Sequence, residues 1–229
     1  MTADQDSLQP QPGQEAQRLK PRLRGVFHQW AFVGSLVTGT ALVLLAAGVR
    51  ATAAAAIYAV TVSALLGVSA LYHRITWRPV ARRWMRRLDH SMIFLLIAGT
   101  YTPVGLLVLR DGMASAVLWV VWGGAIGGIV LKLAWPEAPR WLGVLFYLAL
   151  GWVAVVVMPQ VAVEVGAVGV GLLLAGGLAY SVGALIYARR RPDPAPAVFG
   201  YHEIFHLLVI VGVLAHMAAI AIVLMTPPA

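Results

Sequence analysis

The sequence predicts an all-α polytopic membrane protein, a bundle of seven transmembrane helices. Three observations predict it. The chain is 60% hydrophobic and only 11% charged, where soluble domains carry about 25% charged residues. Its mean hydropathy is +0.82. Seven stretches are long and apolar enough to cross a hydrocarbon core that needs roughly 20 helical residues. They lie near 30–49, 52–73, 89–109, 114–133, 141–158, 165–188 and 201–225.

Residues 1–25 are polar, with Gln, Pro and scattered charge and no apolar core. They are unlike a cleavable signal peptide and are expected to form a disordered cytoplasmic tail. One membrane domain, 26–229, is expected to follow. The first span starts at Trp30. The second ends on His73. The third opens on Asp89-His90 and contains Thr102-Pro103, where a lost backbone donor predicts a kink. The fourth carries Gly123, Gly124, Gly127 and Gly128, overlapping G-x-x-x-G pairs that suit close helix packing. Trp141, Tyr147 and Trp152 in the fifth fit interface or packing positions. The sixth runs into Arg189-Arg190-Arg191. The seventh begins Tyr201-His202-Glu203. Two connections are longer than the rest. Residues 74–88 are rich in Arg and Trp, and 189–200 hold three prolines that exclude regular structure.

Fifteen of the seventeen Lys and Arg fall on one side of this topology. They are Arg18, Lys20, Arg22 and Arg24, the six arginines of 74–88, Lys132 and Arg140, and Arg189 to Arg191. Arg50 and Arg110 fall on the other. The positive-inside rule places the N-terminus in the cytoplasm and the C-terminus outside, which an odd span count requires. A net charge of +8 would suggest nucleic acid as partner in a soluble protein. Here the expected partners are membrane lipids, with anionic headgroups at the basic cytoplasmic loops and no nucleic acid. The excess of Arg over Lys fits a GC-rich bacterial genome, hence a bacterial inner membrane. The chain has no cysteine, so any metal must be held by His, Asp, Glu or water.

Ionisable groups inside spans are costly and default to functional candidates. His73, Asp89-His90 and His202-Glu203-His206 come from three spans and reach the same cytoplasmic level. His202 and His206, four apart on a helix, share a face with Cβ atoms about 6 Å apart. That pair can share a zinc ion, and His73 is the natural third ligand, leaving a position for water. Ser69 lies one turn before His73 on the same face. Asp89 can orient a histidine or take a proton from water. The alternative for these histidines is helix capping and interhelical hydrogen bonding. His202-Glu-Ile-Phe-His206 also matches H-E-x-x-H, in which Glu is a general base. The competing account of Glu203 is a carboxylate at the positive end of a helix dipole. His90 points about 100° away from Asp89, among interfacial charges. His28 is expected at the interface. His216, about 15 Å deeper than His206, is expected to be a hydrogen-bonded core residue. Asp111-Gly112 lies in an external loop, away from this site.

Ser69-Ala-Leu-Tyr-His73, Arg87-Leu-Asp89-His90, Ala98-Gly-Thr-Tyr-Thr-Pro103 and His202-Glu-Ile-Phe-His206 together resemble the bacterial hemolysin III proteins. Those are similar to the adiponectin and progestin receptors of animals. The resemblance runs from about Val26 to the C-terminus. It implies a seven-span bundle with a cytoplasm-side Zn2+ site held by His73, His202 and His206, and with Asp89 and Ser69 around the zinc-bound water. The receptor relatives often carry Gln where this chain has Glu203. Two functions follow from the resemblance. One is ceramidase-like hydrolysis of a lipid amide or ester. The other is non-enzymatic: a pore-forming cytolysin, a transporter or a receptor-like regulator of the membrane.

Overall fold

The computed structural model describes residues 21–110, 112–135 and 137–225. Most of the tail and Asp111 therefore lie outside the described residues. Every regular element within them is helical: α1 Val26–Leu45, α2 Val49–Arg74, α3 Pro79–Leu107, α4 Met113–Ala134, α5 Arg140–Gly151, α6 Ala154–Arg189 and α7 Tyr201–Met225. Six helical stretches among the described residues are long and apolar enough to cross a membrane, with Arg140–Arg189 counted as one. This is an integral membrane protein. Large apolar side chains face outward along the helices, Trp30, Val37, Leu44, Trp119 and Val163 among them. Such a surface is tolerable only against lipid.

The helices pack largely in chain order, α1 on α2, α2 on α3 and α3 on α4, while α6 packs along α7. Helix α7 then closes on α1, α2 and α3. The core between them holds Tyr58, Val62, Leu66, Phe94, Val121 and Ile220, all essentially inaccessible. In α4 the glycine pattern divides by direction. Gly124 admits Leu150 of α5 and Gly128 admits Phe94 of α3, whereas Gly123 and Gly127 face open space.

Three expected boundaries move. First, α3 starts at Pro79, so Arg82, Arg83, Arg86 and Arg87 belong to a helix and not to a loop. Proline at the first helical position costs no hydrogen bond, and most of these arginines stay exposed. The helix continues through Pro103 to Leu107, with the Thr102 hydroxyl donating to the Ala98 carbonyl at 2.9 Å. Second, residues 21–25 are not loose tail. Arg22 and Leu23 donate backbone bonds to Ala197 and Val198 of the α6–α7 connection, at 3.1 and 3.2 Å. Third, the stretch expected as spans five and six is broken elsewhere. The helix stops at Gly151, and 159–164, expected as a connection, is helical inside α6. The polar groups there are satisfied by the end of α3: Arg110 reaches both Gln160 and Glu164. The next interruption is Gly166, with φ 64° and ψ −176°, a backbone state that side chains with a Cβ avoid.

The gap between α5 and α6 leaves backbone groups that lipid cannot satisfy. Tyr101 of α3 takes them. Its hydroxyl donates to the Gly151 carbonyl at 2.6 Å and accepts from the Ala154 N–H at 2.6 Å. Tyr101→Phe strands both groups, and the expected loss is about 2–4 kcal/mol. Thermal unfolding in detergent checks it; an unchanged midpoint would mean that the break is satisfied without Tyr101.

Candidate metal centre

Three histidines from two helices meet at the end of the bundle where α2 finishes and α7 begins. His73 closes α2, and His202 and His206 open α7. The four-residue spacing puts the latter two on one face, as the helix period requires. The three rings form a nearly equilateral triangle. Centroids are 4.7 Å apart for His73–His202, 5.0 Å for His73–His206 and 4.6 Å for His202–His206. One ligand atom from each lies within 4.8 Å of the others.

The donor set fits a divalent ion. Nitrogens sharing a tetrahedral zinc stand about 3.3 Å apart, from bonds of about 2.0–2.1 Å. The Nε2 atoms of His73 and His202 are 3.1 Å apart. The Nδ1 of His206 is buried without a hydrogen-bond partner, an expensive state for a polar atom. His73 and His206 are 7% and 2% exposed. His73, His202 and His206 can therefore hold a metal ion.

The other expected residues are drawn to the same end. Ser69 is buried on α2 and its side chain faces the Asp89 carboxylate of α3. Asp89 lies within electrostatic reach of His73 and His28. His90 does not turn away into the interface. Its Nδ1 is 2.8 Å from the Arg86 carbonyl, and Asp89 Oδ2 is 3.4 Å from the same nitrogen. A carbonyl only accepts, so Nδ1 carries the proton. In the neutral ring Nε2 then accepts from the Tyr187 hydroxyl, 3.3 Å away. Asp89 is thus flanked by Ser69 and by His90, whose ring also meets Tyr187 of α6.

His28 is the neighbour that the sequence did not reveal. Expected at the interface, it is 2% exposed. Its ring lies flat on that of His206, 3.8 Å between centroids and 6° between planes. Neither ring nitrogen has a hydrogen-bond partner. Stacked face to face on His206, His28 lies outside the group of histidines whose ligand atoms converge. His28 buttresses His206 and does not complete the ligand triangle. One histidine at the start of an apolar helix has no spacing partner in the sequence, and no signal there could have found it.

Glu203 belongs to the scaffold. It is fully buried, and both its oxygens are engaged by other partners. One accepts the Gly200 N–H at 2.8 Å and the other the Arg24 Nε at 2.5 Å. A glutamate three residues into a helix, bonded back to the residue before the first turn, is half of a capping box. The H-E-x-x-H spelling is therefore not used as a general-base motif. Glu203→Gln is expected to keep metal content and lose about 1–3 kcal/mol of stability. Metal analysis beside thermal unfolding checks this, and metal loss at unchanged stability would return Glu203 to the centre.

A cavity of about 190 Å³ leads from this end into the bundle. His28, Ser69, Asp89, His90, His202 and His206 line its polar end. Ile93, Ile97 and Val104 of α3, Leu173 and Leu174 of α6, and Val209 of α7 line its apolar length.

Comparison with known proteins places this arrangement. A family model described as "Haemolysin-III related" matches residues 16–217. The chain belongs to the haemolysin-III related family. The match contains every residue of the histidine triangle, together with Ser69, Asp89 and His216. Hemolysin-3 of Bacillus cereus is 35% identical over 186 residues, 79% of this chain and 82% of that protein. A Hemolysin-3 homolog of Bacillus subtilis (strain 168) is 33% identical over 156 residues, 68% of this chain and 70% of that protein. The human monocyte to macrophage differentiation factor is 27% identical over 168 residues, 72% of this chain and 67% of that protein.

Proposed function

We propose that this haemolysin-III related protein is a zinc-dependent hydrolase of a lipid amide or ester, working at the cytoplasmic leaflet of a bacterial inner membrane. One observation carries the reading: a three-histidine triangle, two of whose members line a largely apolar cavity together with Asp89, stands at one end of that cavity. A merely structural ion would need neither the carboxylate nor the cavity.

The topology supports seven crossings. A straight helix over the 50 residues of Arg140–Arg189 would be about 75 Å long, more than twice the ~30 Å hydrocarbon core. Two crossings that turn at Gly166 remove the excess. Seven crossings then keep fifteen of seventeen basic side chains on the cytoplasmic side, where they meet anionic headgroups.

Held by His73, His202 and His206, zinc would polarise a substrate carbonyl and acidify nearby water. Asp89 takes the proton as water oxygen attacks the carbonyl carbon. It returns that proton to the leaving amine or alcohol as the carbon–heteroatom bond breaks. Ser69 and His90 hold Asp89 in place. The apolar cavity seats an acyl chain and keeps bulk water out.

The test is metal analysis of detergent-purified protein, followed by turnover of a panel of lipid amides and esters. About one zinc per chain, and turnover lost on chelation and restored by zinc, is the expected result. A folded preparation with no metal overturns the proposal. The name of the Bacillus cereus relative, Hemolysin-3, favours a second reading, membrane lysis. Liposome leakage that needs neither metal nor the three histidines would establish it.

A further inference from the structure

The cavity has a second polar station at its far end. His216 of α7 and Tyr180 of α6 both line it. Their rings are 5.2 Å apart between centroids and nearly perpendicular. His216 is ten residues beyond His206, about 15 Å along the helix axis.

Each ring is seated by a glycine on the opposite helix. His216 occupies the space that a side chain at Gly176 would take, and Tyr180 occupies that at Gly212. The pair is thus fixed by two reciprocal gaps. Its polar atoms are not fully used. His216 Nε2 is 3.0 Å from the Leu173 carbonyl. That carbonyl can only accept, so Nε2 carries the proton and Nδ1 of the neutral ring is left as an acceptor. Both His216 Nδ1 and the Tyr180 hydroxyl are buried without a hydrogen-bond partner. An acceptor and a donor on two packed rings, each unmatched, are a costly arrangement in an apolar surrounding.

From this complementarity we infer that the Tyr180–His216 pair is a recognition site for a hydroxyl group carried part-way along a lipid chain. A hydroxyl satisfies both atoms at once: it donates to His216 Nδ1 and accepts from Tyr180. A plain methylene satisfies neither. The inference rests on the cavity being a lipid-chain site, as proposed above, but it concerns binding and requires no turnover.

The experiment measures binding of a hydroxystearate with its hydroxyl near mid-chain, against stearate, to the full chain in nanodiscs. Wild-type protein is expected to bind the hydroxylated chain at least about five- to tenfold more tightly, as two modest hydrogen bonds together allow. Tyr180→Phe removes one oxygen and keeps the ring against Gly212. It is expected to reduce the preference, with His216 Nδ1 remaining as an acceptor, without weakening stearate. The same preference in His202→Ala/His206→Ala would place discrimination at the deep pair and not at the metal centre. Equal binding of both chains by wild type overturns the inference, even if Tyr180→Phe does not fold. Binding of neither chain overturns the lipid reading of the cavity itself. A preference undiminished in Tyr180→Phe assigns the hydroxyl to another residue and also overturns it.

Discussion

Asp89→Asn is expected to cut lipid turnover by about 10²–10⁴-fold while metal content stays at the wild-type level. The amide is isosteric and keeps an oxygen for Ser69, so the scaffold is preserved while the capacity to take a proton is lost. Residual activity would come from polarisation and positioning alone. The paired measurement of zinc per chain and turnover separates this from a ligand defect. Metal loss would make Asp89 part of the binding set. Unchanged turnover on every accepted lipid would remove it from proton transfer altogether.

The second large effect belongs to the ligands. His202→Ala/His206→Ala is expected to abolish metal binding and to erase the thermal response to metal. An ion that binds only the folded chain adds about 4 kcal/mol when present at a thousandfold excess over its dissociation constant. Wild-type protein should therefore lose thermal midpoint on chelation and regain it with zinc. The double variant should show the chelated midpoint under all conditions. His28→Ala is the control, since it leaves the triangle of ligands intact; loss of metal there would mean that the stacked ring is a ligand after all.

Much of this site could be read before any coordinates, because helical spacing is a local code. The four-residue step from His202 to His206 fixes a shared face, and the depth at which each span begins aligns His73 and Asp89 with it. What could not be read depends on contacts between distant segments. His28 acquires meaning only from the ring of His206 lying on it. The break after Gly151 is not marked by charge or a turn dipeptide, since 141–158 reads as one apolar run. It is allowed by a tyrosine 50 residues earlier in the chain, Tyr101 of α3, which occupies the orphaned backbone groups. Gln160 and Glu164 fall between the two stretches that read as the fifth and sixth spans. Arg110 lets them remain helical. The Glu203 ambiguity had the same origin: the motif spelling is local, but Arg24, which decides the matter, comes from the other end of the chain.

That last contact has a consequence for how the protein is made. Arg24 and His28 are among the first described residues to leave the ribosome, and Glu203 and His206 among the last. Until α7 is inserted, the N-terminal turn has no carboxylate to hold and His73 has no partners with which to bind an ion. Metal uptake by these histidines would therefore be a late event in biogenesis, sealing a chain whose first and last helices have just met. Pulse-labelled chains should gain metal-dependent protease resistance only after synthesis ends; earlier protection would show that the first helices fold without the last.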